Sequence, residues 1–280
     1  LQGFFDIFPT GRILNRWRLI ISPQKTGLSL IVIARNEAGN IAECLESASF
    51  ADEMVVVDNG SQDDTPTIAR RMGARVVDGS RLTDFSRLKS LALTRAGGEW
   101  VLSLDADERV TPELGEEIVK LLAGKPQHDG YLIPRRNYYF GKFLRFGGHY
   151  PDRQLRLMRR EKASLDRLPV HESFRVEGSV GRLHSPLLHY TYSTIGEYFR
   201  KQSTYIPLMA DNMAKRRLGR SLPARLYYLC IKPTVRFLRR YLFKLGFLGG
   251  YAGFLAAVLD TAVGISAYAE YLRLTSSDRS

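Results

Sequence analysis

Between residues 28 and 124, short apolar runs alternate four times with segments that read as helices, and this alternation most narrows what the chain can become. Leu28–Ala34 (LSLIVIA), Met54–Val57, Arg75–Val77 and Trp100–Leu104 each read as a strand, the first and last apolar enough for burial on both faces. Between them, Asn40 with Glu43 predicts a capping box for a helix burying Ile41, Leu45 and Ala48. Pro66 opens a second helix that Gly73 closes, and Asp84 caps a third carrying Leu88, Leu91 and Ala92 inward. Thr111-Pro112 starts a fourth helix that stops at Gly124. Strands alternating with helices imply right-handed crossovers and a parallel sheet.

The polar tips of these strands carry the chemistry. The run Trp100–Leu104 ends abruptly in Asp105-Ala106-Asp107-Glu108, and the carboxyl ends of strands are where open α/β sheets bind ligands. Two Asp separated by one residue share a hard divalent cation readily, and such a cation commonly bridges a diphosphate; a solvated acidic turn is the plainer alternative. No Gly-x-Gly-x-x-Gly follows the first strand and no Gly-x4-Gly-Lys-Ser/Thr occurs, which removes the main support for dinucleotide and P-loop sites. Asp58 at the second tip, the Asp105/Asp107 pair, and Arg87 and Lys89 between them describe a nucleoside-diphosphate pocket. Carboxylates accept from ribose hydroxyls or a base N–H, and cations neutralise the diphosphate.

Three stretches then resemble one family: Ser29-Leu-Ile-Val-Ile-Ala-Arg-Asn-Glu37, Val55-Val-Val-Asp-Asn-Gly-Ser-Gln-Asp-Asp-Thr65 and Leu104-Asp-Ala-Asp-Glu-Arg109 are similar to the family-2 glycosyltransferases. The branch resembled is the lipopolysaccharide-core β-glucosyltransferase type. Its further marks are matched by Tyr150-Pro-Asp-Arg-Gln-Leu-Arg-Leu157, Val170-His-Glu172 and Leu188-His-Tyr190 with Lys201. The resemblance spans about residues 28–260. It implies an α/β chain of GT-A fold, a Rossmann-like mixed and mostly parallel sheet flanked by helices. It also implies a nucleotide-sugar donor, UDP-glucose foremost, and inversion at the transferred carbon.

By that likeness Ala34, Asn36, Glu37, Asp58, Arg87, Lys89, Asp105, Ala106 and Asp107 belong to the donor site. Asp107 and Asp105 would hold Mg2+ or Mn2+. His189, flanked by Leu188 and Tyr190, reads first as a satisfied core histidine, the alternative being a third metal ligand or a pyrophosphate contact. Ser90 departs from the branch, which usually has Asn after the Lys. Inverting transfer needs a base on the acceptor hydroxyl. Glu172 is the first candidate and Asp152 the second, a salt bridge being the structural alternative for Glu172.

Beyond the first half, Gly130–Pro134, Gln154–Met158 and Leu187–Tyr190 read as strands extending the sheet. The resulting division is a lead-in over 1–27, a catalytic domain over 28–200 (donor half 28–124, acceptor half 125–200), and a helical extension over 201–280. The lead-in, aromatic and basic, reads as a lid or an interfacial anchor, and it carries no cleavable-signal pattern. Two cysteines among 280 residues are too few for a disulfide framework.

A net charge of +12 and a pI near 9.8 call for an anionic partner. From Arg200 to Gly246 twelve Lys or Arg accompany one acid, Asp211. Past Pro233 the spacing sorts them: Lys232, Arg236, Arg239, Arg240 and Lys244 share one helical face, and Ile231, Val235, Leu238, Leu242 and Leu245 another. A basic amphipathic helix is a membrane-surface signature. Leu245–Leu259 is uncharged but shorter than the roughly 20 residues a span needs, and Asp260 interrupts it. The expectation is a hairpin in the interface, peripheral on the cytoplasmic face of the inner membrane, serving a lipid-linked or envelope glycan acceptor. Two other readings stand beside this one: a nucleic-acid-binding protein, resting on charge alone and without a binding motif, and a GT-A scaffold without catalysis. The partner set expected includes no nucleic acid.

Overall fold

The computed structural model describes residues 26–82, 84–165 and 174–277. Two compact units emerge, one running to Arg135 and resuming over Arg153–Leu188, the other comprising Arg136–Asp152 and residues from His189 onward.

In the first unit the alternation resolves into β1 (Leu28–Ala34), β2 (Glu53–Asp58), β3 (Arg75–Asp78) and β4 (Trp100–Asp105), with α1 (Ile41–Ser47), α2 (Thr65–Arg71), α3 (Phe85–Arg95) and α4 (Pro112–Ala123). β1 lies parallel to both β2 and β4, and β2 parallel to β3. Period-two alternation divides each strand between two cores. Leu28, Leu30, Val32 and Ala34 join Ile41 and Leu45 of α1 and Leu114 and Ile118 of α4. Ile31, Val55 and Val57 pack with Leu88 and Ala92 of α3 on the other face. Both faces are covered, which is why these strands are apolar throughout.

The remaining strands are β5 (Glu108–Val110), β6 (Gly130–Tyr139), β7 (Lys142–Phe143), β8 (Asp152–Arg159), β9 (Ala163–Leu165), β10 (Phe174–Val176), β11 (Val180–Arg182) and β12 (Leu187–Tyr192). The large sheet has the order β3-β2-β1-β4-β8-β6-β12-β5, with β11 and β7 beside β6. β8 runs antiparallel to β4, so the sheet is mixed but mostly parallel where its best-formed strands lie. β9 and β10 form a separate antiparallel pair.

Two caps follow the sequence and one does not. Asp84 accepts from the Ser86 N–H at 2.9 Å, and the Thr111 hydroxyl accepts from the Leu114 N–H at 3.2 Å. The capping box expected at Asn40 and Glu43 does not form. Asn40 donates instead to Glu37 Oε2 at 2.7 Å, and Glu43 pairs with Arg109 at 3.3 Å. Charged groups, the Glu37 carboxylate and the Arg109 guanidinium, offer these side chains stronger, charge-assisted partners than the helix backbone does.

The second unit carries the helices α5 (Ile195–Lys215), α6 (Leu222–Leu226), α7 (Lys232–Leu238) and α8 (Gly250–Ser277). Two π-helical turns, Tyr227–Ile231 and Arg239–Phe243, make the stretch from α6 through α7 one continuous helical rod. Leu245 at φ 56° and Gly250 at φ 60° turn the chain back into α8. α8 is longer than the uncharged run implied, because it continues through Asp260. That carboxylate is ion-paired with Arg240 and no longer interrupts the helix. Gly246–Ser276 is long and apolar enough to cross a membrane, and only 28% of its apolar window is buried. Ala210, Tyr268 and Tyr271 form a small core here, and the Tyr268 and Tyr271 hydroxyls donate to the Gly219 and Leu218 carbonyls.

Candidate donor and base residues

The tip of β1 is built as a turn held by its neighbour. Asn36 adopts a left-handed backbone (φ 56°), and its N–H donates to the Ser61 hydroxyl at 2.9 Å. Its side-chain oxygen accepts from the Gln62 N–H at 2.8 Å. Glu37 N–H donates to the Thr65 hydroxyl and Ala38 N–H to Asp63. These bonds knit the loop after Ala34 to the loop after Asp58.

Asp58 ends β2. One carboxylate oxygen accepts from the Ser61 N–H at 3.2 Å, while the other, Oδ1, is buried with no partner. A buried acceptor left unmet is costly unless a ligand completes it. The ground beside it is tight: a Cβ on Gly79 would lie 2.6 Å from Leu88 and 2.7 Å from Val57, so only glycine lets β3 turn there.

α3 contributes Lys89, buried, with its ammonium 5.2 Å from the Phe85 ring and 5.6 Å from the Phe174 ring. Arg87, expected in the same pocket, is exposed. Residues two apart on a helix do not share a face, so the structure does not bring these two cations together.

At the end of β4 the acidic cluster is not a solvated turn. Glu108 is completely buried, accepting from Arg156 at 2.6 Å and Arg135 at 3.1 Å, and from the Asp105 N–H at 3.0 Å. Asp105, partly exposed, is ion-paired with the same Arg156 nitrogen, and Arg135 stands 4.0 Å away. Burial, the largest single influence, pushes the Asp105 carboxyl up and the nearby Asp107 adds to it, but the charge and hydrogen bond of Arg156 together with Lys89 leave it below its ordinary value. Burial pulls the Arg156 guanidinium down, but Asp105 and Glu108 raise it well above normal. Ala106 is buried, and its carbonyl accepts from Arg109 at 2.8 Å, which braces the turn from beneath. Behind it the Cys44 thiol, fully buried and 3.5 Å from the Asp105 carbonyl, is pushed up by burial to about 12.

Glu108, Arg135 and Arg156 are the residues that sequence reasoning missed. A signal was present in Gln154-Leu-Arg-Leu157, where an arginine alternates with apolar residues in a strand. That pattern places a cation on an inward face, where it must be paired.

Of the base candidates, Glu172 lies outside the described residues. Asp152, in the second unit, accepts from Asn137 Nδ2 at 3.1 Å. Asn137 is held in turn by His189, whose Nδ1 stands 2.7 Å from the Asn137 side-chain oxygen and 3.2 Å from the Thr191 hydroxyl. Asn137 also donates to the His149 carbonyl at 3.2 Å.

Among the described residues no three His, Cys, Asp or Glu side chains gather into a metal-binding group. The Asp105/Asp107 pair fits a sparser donor set, one or two carboxylates completed by phosphate oxygens and water, which is how Mg2+ is usually held.

Residues 29–189 match the family model described as glycosyl transferase family 2. The lipopolysaccharide core biosynthesis glycosyltransferase LpsC of Rhizobium meliloti is 31% identical over 249 residues, covering 84% of this chain and 87% of that one. An uncharacterized glycosyltransferase of Rickettsia prowazekii, RP128, is 28% identical over 264 residues, covering 88% and 85%. Among solved structures, the mannosyltransferase PcManGT of Pyrobaculum calidifontis, in complex with GDP-Man and Mn2+, aligns over 92% of both chains at TM-score 0.52 and 18% identity.

Proposed function

The chain belongs to glycosyl transferase family 2 and has the GT-A fold, and from that premise we propose that it is an inverting hexosyltransferase. The donor is a nucleotide sugar, UDP-glucose foremost. The acceptor is a lipid-linked or envelope glycan of the lipopolysaccharide-core kind, as the name of the Rhizobium relative suggests.

The observation that carries this reading is the Asp58 oxygen, buried without a partner at the tip of β2, on the same edge of the sheet as the arginine-knit Asp105 with β1 between them. A nucleobase N–H or ribose hydroxyl supplies the missing donor. Asn36 and Glu37 hold the loop that faces the nucleoside, with Ala34 and Ala106 as its small, close-approach neighbours. Lys89 neutralises the diphosphate. A divalent metal, Mg2+ or Mn2+, would be held by Asp107 and Asp105 and would supply positive charge for the departing diphosphate. Arg156 and Arg135 fix Asp105 so that its carboxylate is ionised and oriented before the donor arrives. On the acceptor side Glu172 takes the hydroxyl proton, and Asp152 is the alternative, oriented by Asn137 and His189. The hydroxyl then attacks from the face opposite the diphosphate, which inverts the sugar carbon.

A soluble donor and a membrane-held acceptor suit an enzyme peripheral to the cytoplasmic face of the inner membrane. The apolar α8 is consistent with membrane association.

The test is a thermal-shift screen of nucleotide sugars with and without Mg2+ or Mn2+. A donor at 100 times its Kd stabilises the fold by about 2.7 kcal/mol. Asp107→Asn abolishes the metal-dependent part of that shift while leaving the parent Tm unchanged. Native donor affinity and full transfer in that variant would overturn the metal assignment.

A further inference from the structure

We propose that the helical hairpin of residues 222–277 is a monotopic docking element, lying in the plane of a bilayer with anionic headgroups, and not a hairpin with a membrane-crossing arm. This rests on the membrane-associated part of the reading above and is independent of the transfer chemistry.

The hairpin is antiparallel, and its register can be read from its contacts. Tyr228 stacks on Tyr268 at 4.7 Å, Arg240 pairs with Asp260, and Tyr241 meets Phe254 at 5.6 Å and Phe247 at 6.3 Å. As numbers rise along the rod formed by α6, α7 and the π turns, they fall along α8.

Three faces of that rod have different fates. Pro233 is buried, and Tyr228, Phe237, Arg240 and Tyr241 are half-buried against α8. Leu226, Ile231, Val235, Leu238 and Leu242 recur every three to five residues and are all exposed, Val235 at 58%. Among the described residues, every exposed large hydrophobic except Phe85 and Val180 lies at Ile195 or beyond. One position on from the apolar stripe come Lys232, Arg236 and Arg239, followed by Lys244, bordering a groove of about 400 Å3. Arg236, Arg239 and Lys244 have no carboxylate partner among the described residues, and the sequence offers no acid between Asp211 and Asp260. An exposed apolar stripe flanked by unneutralised cations complements a surface that is apolar below and anionic above.

The alternative occupant of the apolar stripe is the bilayer core crossed by α8. Its 28 residues extend about 42 Å at 1.5 Å each, enough to span roughly 30 Å of hydrocarbon. The Arg240–Asp260 pair, however, couples the middle of α8 to the basic rod. Threading α8 through would carry Arg236, Arg239 and Lys244 toward the bilayer centre, where each is strongly disfavoured. In the plane, the same residues reach headgroups.

The experiment is sedimentation of the full chain with sealed vesicles of phosphatidylcholine, alone or mixed with phosphatidylglycerol, at two salt concentrations and after an alkaline carbonate wash. The parent partitions onto the anionic vesicles, less so at high salt, and carbonate strips it. Arg236→Gln with Arg239→Gln lowers that partition about 30-fold, since each cation near such a surface contributes about 1 kcal/mol. Lysine at both positions restores it, and Val235→Asp with Leu242→Asp abolishes it. All these side chains are exposed, so Tm and the donor-induced thermal shift stay at parent values, which separates loss of docking from loss of the transferase. Equal partition of the parent and the glutamine variant, or carbonate-resistant binding indifferent to salt and headgroup, would overturn the proposal.

Discussion

The end of β4 and the C-terminal hairpin both hold several arginines, and they dispose of them in opposite ways. At β4, Arg156 and Arg135 are enclosed with Glu108 and Asp105, each cation within reach of two carboxylates. Along the rod of the hairpin, among the described residues, Arg240 alone is matched by an acid, and its neighbours Arg236 and Arg239 are exposed without one. Internal pairing fixes geometry and removes charge from view. Leaving the pairing undone keeps charge available to an external surface. The same residue type is a structural rivet in one place and a contact in the other because of how many carboxylates the fold brings near it.

The largest expected effect tests that difference directly. Arg156→Met leaves Glu108 buried without its closest partner and lowers the unfolding free energy by about 3–5 kcal/mol. Arg239→Gln changes it by less than about 0.5 kcal/mol. Urea unfolding of both variants measures the contrast, and comparable losses would erase it. Next comes the base: Glu172→Gln retains donor affinity and lowers turnover by roughly 100-fold or more. Normal turnover in that variant moves the role to Asp152, and thus to the second unit.

The smallest effect separates the two regions by pH. Burial holds the His149 imidazole down to about 4 from 6.5, with Arg240 and Lys244 adding to the effect and Asp260 opposing it. The ring therefore takes up its proton in the unfolded chain first. Stability is fully present above about 6.5 and is lost as pH falls toward about 4, by on the order of 2 kcal/mol. Asp105 behaves as a depressed carboxylate, and its contribution is lost only as pH falls below its ordinary value of 3.8. An acid titration of unfolding free energy shows the first decline in the parent and lacks it in His149→Gln.

The parallel strands were legible because each is a continuous apolar run. β1 begins and ends at Leu28 and Ala34 as read from the sequence alone, and Asp84 and Thr111 cap their helices as expected. Legibility failed where the deciding partner is distant in sequence. Glu108 looks like part of a solvated turn until Arg135, 27 residues on, and Arg156, 48 residues on, enclose it. Asn40 looks like a cap until Arg109 competes for it. Asp260 looks like the end of an apolar segment, yet Arg240 removes its charge and the helix continues. Local pattern carries periodicity and caps. Charge compensation across the fold is not local, and that is where the reading of residues alone ran out.

The burial of Cys44 has a practical consequence for anyone who wishes to label the molecule. With its thiol raised to about 12, it stays protonated near neutrality and presents no thiolate to a maleimide or an oxidant. The other cysteine, Cys230, is exposed on the rod of the hairpin. The wild-type chain thus behaves chemically as a single-cysteine protein, its one addressable sulfur already beside the stripe whose surroundings a fluorophore would report.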